Sequence, residues 1–125
     1  SMDIDGARAY LLSQPEAWED YPFGPDVAVM KVRDKMFATL GTTGGRGNMN
    51  LKCDPDEAVM LRDIFAAVVP GYHMNKRHWN TIYLDGSIPR GEIERMIDNS
   101  WDLVVAGMPA SARRALQRLK EPEQP

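Results

Sequence analysis

"VAVMKVRDKMFATLGTTGGRGNMNLKC", from Val27 to Cys53, decides the fold. Two β-rich runs, "VAVMKV" and "MFATL", are joined by the tight polar connection Arg33-Asp34-Lys35, which is a hairpin signal. "GTTGGRGN" supplies the next turn. In "NMNLKC", Met49, Leu51 and Cys53 alternate with Asn48, Asn50 and Lys52, so one face of a third strand is buried and the other is wet. Three antiparallel strands in a meander are the economical reading.

Toward the C-terminus, Asp54 is an N-cap and Pro55 a first helical residue, and the stripe Leu61, Ile64, Phe65 and Val68 predicts a helix ending at Pro70-Gly71. "GYHMNKRHWNTIYLDG", residues 71–86, reads as an extended stretch closing at the Asp85-Gly86 turn. Pro89 then opens a third helix, whose stripe of Ile93, Met96, Ile97, Trp101, Val104 and Val105 ends near Gly107. Ala112, Ala115, Leu116 and Leu119 suggest a short fourth helix, and "EPEQP", residues 121–125, reads as a frayed tail.

Toward the N-terminus, Ile4, Ala7, Tyr10 and Leu11 recur at helical spacing behind Asp3, so residues 3–13 read as an amphipathic helix stopped by Pro15. "QPEAWEDYPFGPD" carries three prolines and a glycine and reads as an irregular loop, with Trp18, Tyr21 and Phe23 packed down onto the domain. The whole is an α+β pattern. It implies a single domain over residues 1–125, with an antiparallel sheet of about five strands and helices on one face, the other face being left for a partner.

Apolar residues make up 43% of the 125 and charged residues 26%, the balance of a soluble globular protein. The longest purely apolar run, Ile64 to Val69, is far too short to span a bilayer, so no membrane partner is expected. The start lacks the basic leader and apolar core of a signal peptide, and Ser1 ahead of Met2 reads as an added residue. Cys53 is the only cysteine and matches no zinc-ligand spacing, which fits a reducing cytoplasm. The formal charge of −3 hides an asymmetry: Val27 to Tyr83 holds eight Lys/Arg against five Asp/Glu, and the remainder seven against thirteen. A basic middle between acidic ends is a footprint for an anionic partner.

The motifs that could carry chemistry are weak. His73 and His78 lie five apart, on opposite faces of a continuous strand, so no metal is expected. There is no G-x-S-x-G elbow or Cys-His signature, and Cys53 falls on the apolar face of its strand, where a thiol packs. Glu94, Asp98 and Asp102 form one helical face, read as its solvated side. "GTTGGRG" leads into a strand rather than a helix N-terminus, so it reads as a hairpin tip carrying Arg46 and not as a phosphate loop. No catalytic residue, cofactor or enzymatic activity is expected.

What remains is a basic and aromatic constellation. Lys31, Arg33, Arg46, Lys52, Lys76 and Arg77 would contact phosphates, with His78 beside them in the nucleic-acid-binding set and Trp79 as a platform for stacking on a base, giving weak and largely sequence-independent DNA binding. The bland alternative is a solvated sheet face with Trp79 in the core. The rival function is a small-molecule or protein-binding cleft between the Trp18–Phe23 loop and the Asn75–Trp79 segment, lined by Trp18, Tyr21, Phe23 and Asn75, with Lys52 and His78 nearby.

"YPFGPDVAVMKVRDKMFATL", "LKCDPDEAVMLR", "GYHMNKRHWNTIYLDGSIP" and "MIDNSWDLV", in that order and spacing, resemble the MmcQ/YjbR family of small bacterial proteins over roughly residues 4–109. The matching positions are Tyr21, Pro22, Phe23, Lys31, Phe37, Lys52, Asn75, Lys76, His78, Trp79 and Asn80. The resemblance implies a frataxin-like (CyaY-like) α+β arrangement, comparable to a double-wing DNA-binding domain, and a DNA-binding label that rests on fold analogy. An acidic net charge and the lack of a helix rich in Arg, Asn or Gln point away from major-groove readout by a helix.

Overall fold

The structure, a computed structural model, describes residues 2–71 and 74–123. Among them the chain forms α1 (Ile4–Leu12), β1 (Ala17–Asp20), β2 (Val27–Val32), β3 (Lys35–Thr43), β4 (Arg46–Lys52), α2 (Pro55–Ile64), β5 (Val68–Pro70), β6 (Trp79–Tyr83), α3 (Arg90–Ala106) and α4 (Ala110–Arg118). The strands make one sheet in the order β1-β2-β3-β4-β6-β5, every neighbouring pair antiparallel. The α+β expectation holds, with six strands where about five were expected.

The β2–β3–β4 meander forms as the alternation predicts. Its turns sit at Arg33-Asp34, where Arg33 takes a left-handed φ of 55°, and at Gly44-Gly45, where both residues need positive φ. The helix-covered face carries Ala28, Met30, Val32, Ala38, Leu40, Met49, Leu51 and Ile82, all buried in one cluster with Ala7 and Leu11 of α1, Ala58 and Leu61 of α2, and the α3 stripe. Every stripe residue named for α3 is buried, each fully buried Ile, Met or Trp contributing about 1.5–3 kcal/mol. Asp3 and Asp54 cap α1 and α2, accepting from Gly6 N at 2.8 Å and from Asp56 N at 3.2 Å.

A β-bulge interrupts the β2–β3 register. Met30 pairs with Ala38 but Lys31 with Met36, so Phe37 is skipped and both Phe37 and Ala38 stay buried. Phe37 O is met from α3 instead. Ser100 Oγ donates to it at 2.5 Å and accepts from Lys52 N at 2.9 Å, pinning the longest helix to β3 and β4.

Several expectations are overturned. The stretch read as irregular holds β1, because Ala17–Asp20 lies between Pro15 and Pro22 with every backbone N–H intact and pairs as an edge strand. Trp18, Tyr21 and Phe23 are exposed rather than packed into the core. Helix α2 stops at Ile64, since Phe65 turns to extended backbone and Val68 enters β5 instead of continuing the stripe; Ile64 is left exposed. Asp98 is no bystander on a solvated face: it accepts from Tyr10 Oη at 2.8 Å and Gln14 Nε2 at 2.9 Å, tying α1 to α3. Burial, then the Asp98 carboxylate, pushes the Tyr10 phenol up to about 12. In α4 only Leu116 is fully buried; Ala115 and Leu119 face solvent. Gln124 and Pro125 of the expected tail lie outside the described residues.

Candidate ligand-binding face

The helices leave one face of the sheet uncovered. Strand alternation and register place Val29, Thr39, Asn50, Thr81 and Val69 side by side across it in a single row. The polar members of the row satisfy one another: Asn50 Nδ2 donates to Thr39 Oγ1 at 2.9 Å, and Thr81 Oγ1 donates to Asn50 Oδ1 at 2.6 Å. This ladder fixes the Asn50 amide, and Asn48 is held likewise by Thr43 Oγ1 at 3.1 Å.

Over this floor lies a cavity of about 440 Å³ lined by Phe23, Val27, Met36, Thr39, Gly41, Thr42, Thr43, Asn48, Asn50 and Met74. Phe23, in the loop after β1, and Met74, in the segment before β6, supply its loop-borne walls. Phe23 is 74% exposed, an apolar ring held at the cleft with little of it in the core. The lining has a large apolar surface, amides and hydroxyls, and no charged side chain. A second cavity of about 270 Å³ shares one lining residue with it, Met36, and is otherwise lined by Lys35, Lys52, Trp79, Val104, Gly107 and Met108.

Three of the expected phosphate contacts are already paired with carboxylates. Lys31 Nζ is bound to Asp20 at 2.8 Å and sits 5.3 Å from the Trp18 ring, and the Lys31 hydrogen bond holds the Asp20 carboxyl below its ordinary value. Arg33 is paired with Glu16 at 2.9 Å, and Trp18 Nε1 donates to Arg33 O at 2.8 Å. Arg46 stacks on Tyr83 at 4.0 Å and reaches Asp85 at 4.0 Å. It stands six residues from Lys52 along β4, about 20 Å away at the rise of a strand. Lys52, Lys76 and Arg77 make no ion pair among the described residues.

Segment 74–78 is a turn: Asn75 Oδ1 accepts from Arg77 N at 3.0 Å, and His78 O accepts from Cys53 N at 2.8 Å. Asn80, one of the family-motif positions, is buried and serves the fold, accepting from Arg62 at 2.8 Å and donating to Ala58 O at 3.3 Å. Trp79 is half-buried beside Lys52, neither fully core nor free.

Of the residues expected to line a cleft, Phe23 does. Trp18 belongs to the β1 edge, Tyr21 lines a separate cavity with Arg8 and Asp26 and bonds Glu19, and Asn75 closes its own turn beside Met74. Sequence reasoning missed Val27, Met36, Thr39 and Gly41. Asn48 and Asn50 were legible as the wet side of their strand, and the register carries that face to Thr39. The bulge that turns Met36 toward it left no signal.

His73 of the metal reading lies outside the described residues, and among those described no group of three His, Cys, Asp or Glu side chains is placed to hold a metal. Burial first, then the nearby Glu57 and Asp54 carboxylates, pushes the Cys53 thiol up to about 11, the behaviour of a packing residue. No helix among the described residues is long and apolar enough to cross a membrane.

Known structures carry the same arrangement. The chain superimposes on the crystal structure of the Deinococcus radiodurans protein DR2400, with a DUF419 domain, at a TM-score of 0.84 and 30% identity, covering 93% of this chain and 88% of that one. A Pseudomonas syringae crystal structure matches with a TM-score of 0.73 and 30% identity, over 82% of this chain and 99% of that one. In sequence, the chain is 36% identical over 91% of both chains to Escherichia coli O157:H7 "Uncharacterized protein YbdF". To "Uncharacterized protein YjbR" of Escherichia coli K12 it is 33% identical, over 94% of this chain and all of that protein. The YjbR family model matches residues 12–103, and the chain belongs to that family.

Proposed function

We propose that this protein is a non-enzymatic binding domain that holds a small organic ligand in the cleft on its uncovered sheet face, and that it works in the reducing cytoplasm to which its lone, buried thiol is suited. The observation that carries the reading is the 440 Å³ cleft itself, within the size range of small-molecule sites, walled by Phe23 and Met74 over a floor of hydrogen-bonded Thr39 and Asn50. An apolar pocket with a few fixed polar groups orients a ligand without needing to rearrange.

Thermal scanning against a panel of small amphipathic compounds tests it. A ligand at about a hundred times its Kd stabilises by about 2.7 kcal/mol, and Phe23→Ala, which removes an exposed wall, should leave the melting temperature of the free protein alone while a tenfold weaker affinity cuts that stabilisation to about 1.4 kcal/mol. Stabilisers that act equally on both proteins would place binding elsewhere.

A second reading, the double-wing-like nucleic-acid module, is favoured by one observation: Lys52, Lys76 and Arg77 carry no carboxylate partner among the described residues. Duplex DNA association at about 50 mM salt, weakened in Lys76→Ala/Arg77→Ala with a salt slope shallower by about two, would favour it over the cleft.

A further inference from the structure

Resting on the small-ligand reading of the same face, we propose that the ligand is an amphipathic organic anion. Its apolar body lies between Phe23 and Met74, and its carboxylate or phosphate reaches Lys52 and Lys35 beside Trp79. Three observations lead there.

The cleft that would hold the body contains no charged side chain, so it suits an uncharged moiety and leaves any ionic group to extend beyond it. The cavity that shares Met36 with it is where it would extend. Met36 lines both spaces, and Lys52 follows Asn50 by two residues on the same face of β4, about 7 Å farther along the strand.

That second cavity is cationic. Lys35 and Lys52 both line it, no carboxylate lines either space, and neither lysine has an ion pair among the described residues. The contrast with their neighbours is sharp in a chain with more acidic than basic residues, because Lys31, Arg33 and Arg46 each have a carboxylate. The Trp79 indole N–H also lacks a partner among the described residues, a further donor at the same end. Uncompensated cations in a cavity that shares Met36 with a neutral apolar cleft complement an anion with an apolar tail.

Two fluorescent probes that share one aromatic body separate the claims: anilinonaphthalene sulfonate, and N-phenylnaphthylamine, which lacks the sulfonate. The wild-type protein should bind both, the sulfonate about tenfold more tightly, the effect of one charge contact. Lys35→Ala/Lys52→Ala should erase that advantage and leave the naphthylamine within about twofold of wild type, while Phe23→Ala weakens both about tenfold. Equal affinity for the two probes, with the lysine variant unchanged and Phe23→Ala still weakening both, would overturn the anion proposal and leave the cleft standing. Failure of both probes to bind, or binding indifferent to Phe23→Ala, would overturn the cleft reading and the anion proposal together.

Discussion

Ser100→Ala should destabilise this protein far more than the loss of one oxygen atom suggests. The β3–β4 ladder stops at the Ala38–Leu51 pair, and the bulge removes Phe37 from the β2–β3 ladder on its other side. Phe37 O and Lys52 N therefore meet in the Ser100 hydroxyl, at 2.5 and 2.9 Å, with the serine itself fully buried. Alanine leaves a buried carbonyl and a part-buried amide without that partner. Each costs about 1–3 kcal/mol, the amide toward the lower end because water reaches it, giving a loss of about 3 kcal/mol. For a domain of this length that is a fall in Tm of about 10 °C. Urea titration should show a lower midpoint at an unchanged slope, since the native surface is the same. Ser87→Ala is the control: that hydroxyl bonds only its exposed neighbour Asp85, and its loss should stay within about 0.5 kcal/mol. A Ser100→Ala variant as close to wild type as the control would show that the hydroxyl does not hold α3 to the sheet.

Three further outcomes are expected. Trp101→Ala, which empties a 1% exposed site and strips Pro15 O of its 3.1 Å indole donor, should cost about 3–5 kcal/mol in denaturant titration; an unchanged midpoint would contradict the α3 packing. Gly71→Ala should destabilise the β5–β6 edge and shift the Trp79 fluorescence, because an added Cβ would stand 2.8 Å from Trp79 O and 2.9 Å from Trp79 Cβ; a variant with wild-type Tm and emission would refute that close approach. The Cys53 thiol, with its folded pKa raised from 9.0 to about 11, favours the folded state fully below pH 9, and that contribution is lost as the pH rises through 11. Thiolate absorbance should therefore titrate near pH 11 in the folded protein and near 9 in denaturant, and alkylation at pH 8 should be slow until the chain unfolds; rapid native alkylation would contradict it.

The fold was largely legible because its strongest signals are periodic. The alternation of Met49, Leu51 and Cys53 fixed the buried side of β4, and the six-residue stripe of α3 reached the core complete. Short edge elements were not legible. β1 and β5 are four and three residues long, too short for a period to register, and their residues are claimed locally by prolines or by a continuing helical stripe. The site was harder still. Composition showed a basic middle, but whether a cation is free depends on long-range carboxylates: Glu16 for Arg33 and Asp85 for Arg46. The cleft depends on a bulge that turns Met36 and on loops that place Phe23 and Met74 over one strand row, none of which has a local signature.

Amide shift mapping of the isotope-labelled protein during titration with N-phenylnaphthylamine tests the ligand-binding face most directly. Shifts concentrated at Thr39, Gly41, Asn48, Asn50 and Met74 are expected, with the exposed apolar side of α2 at Met60 and Ile64 unmoved. Shifts confined to Met60 and Ile64, or none at a probe concentration that saturates fluorescence, would contradict a ligand site on the uncovered sheet.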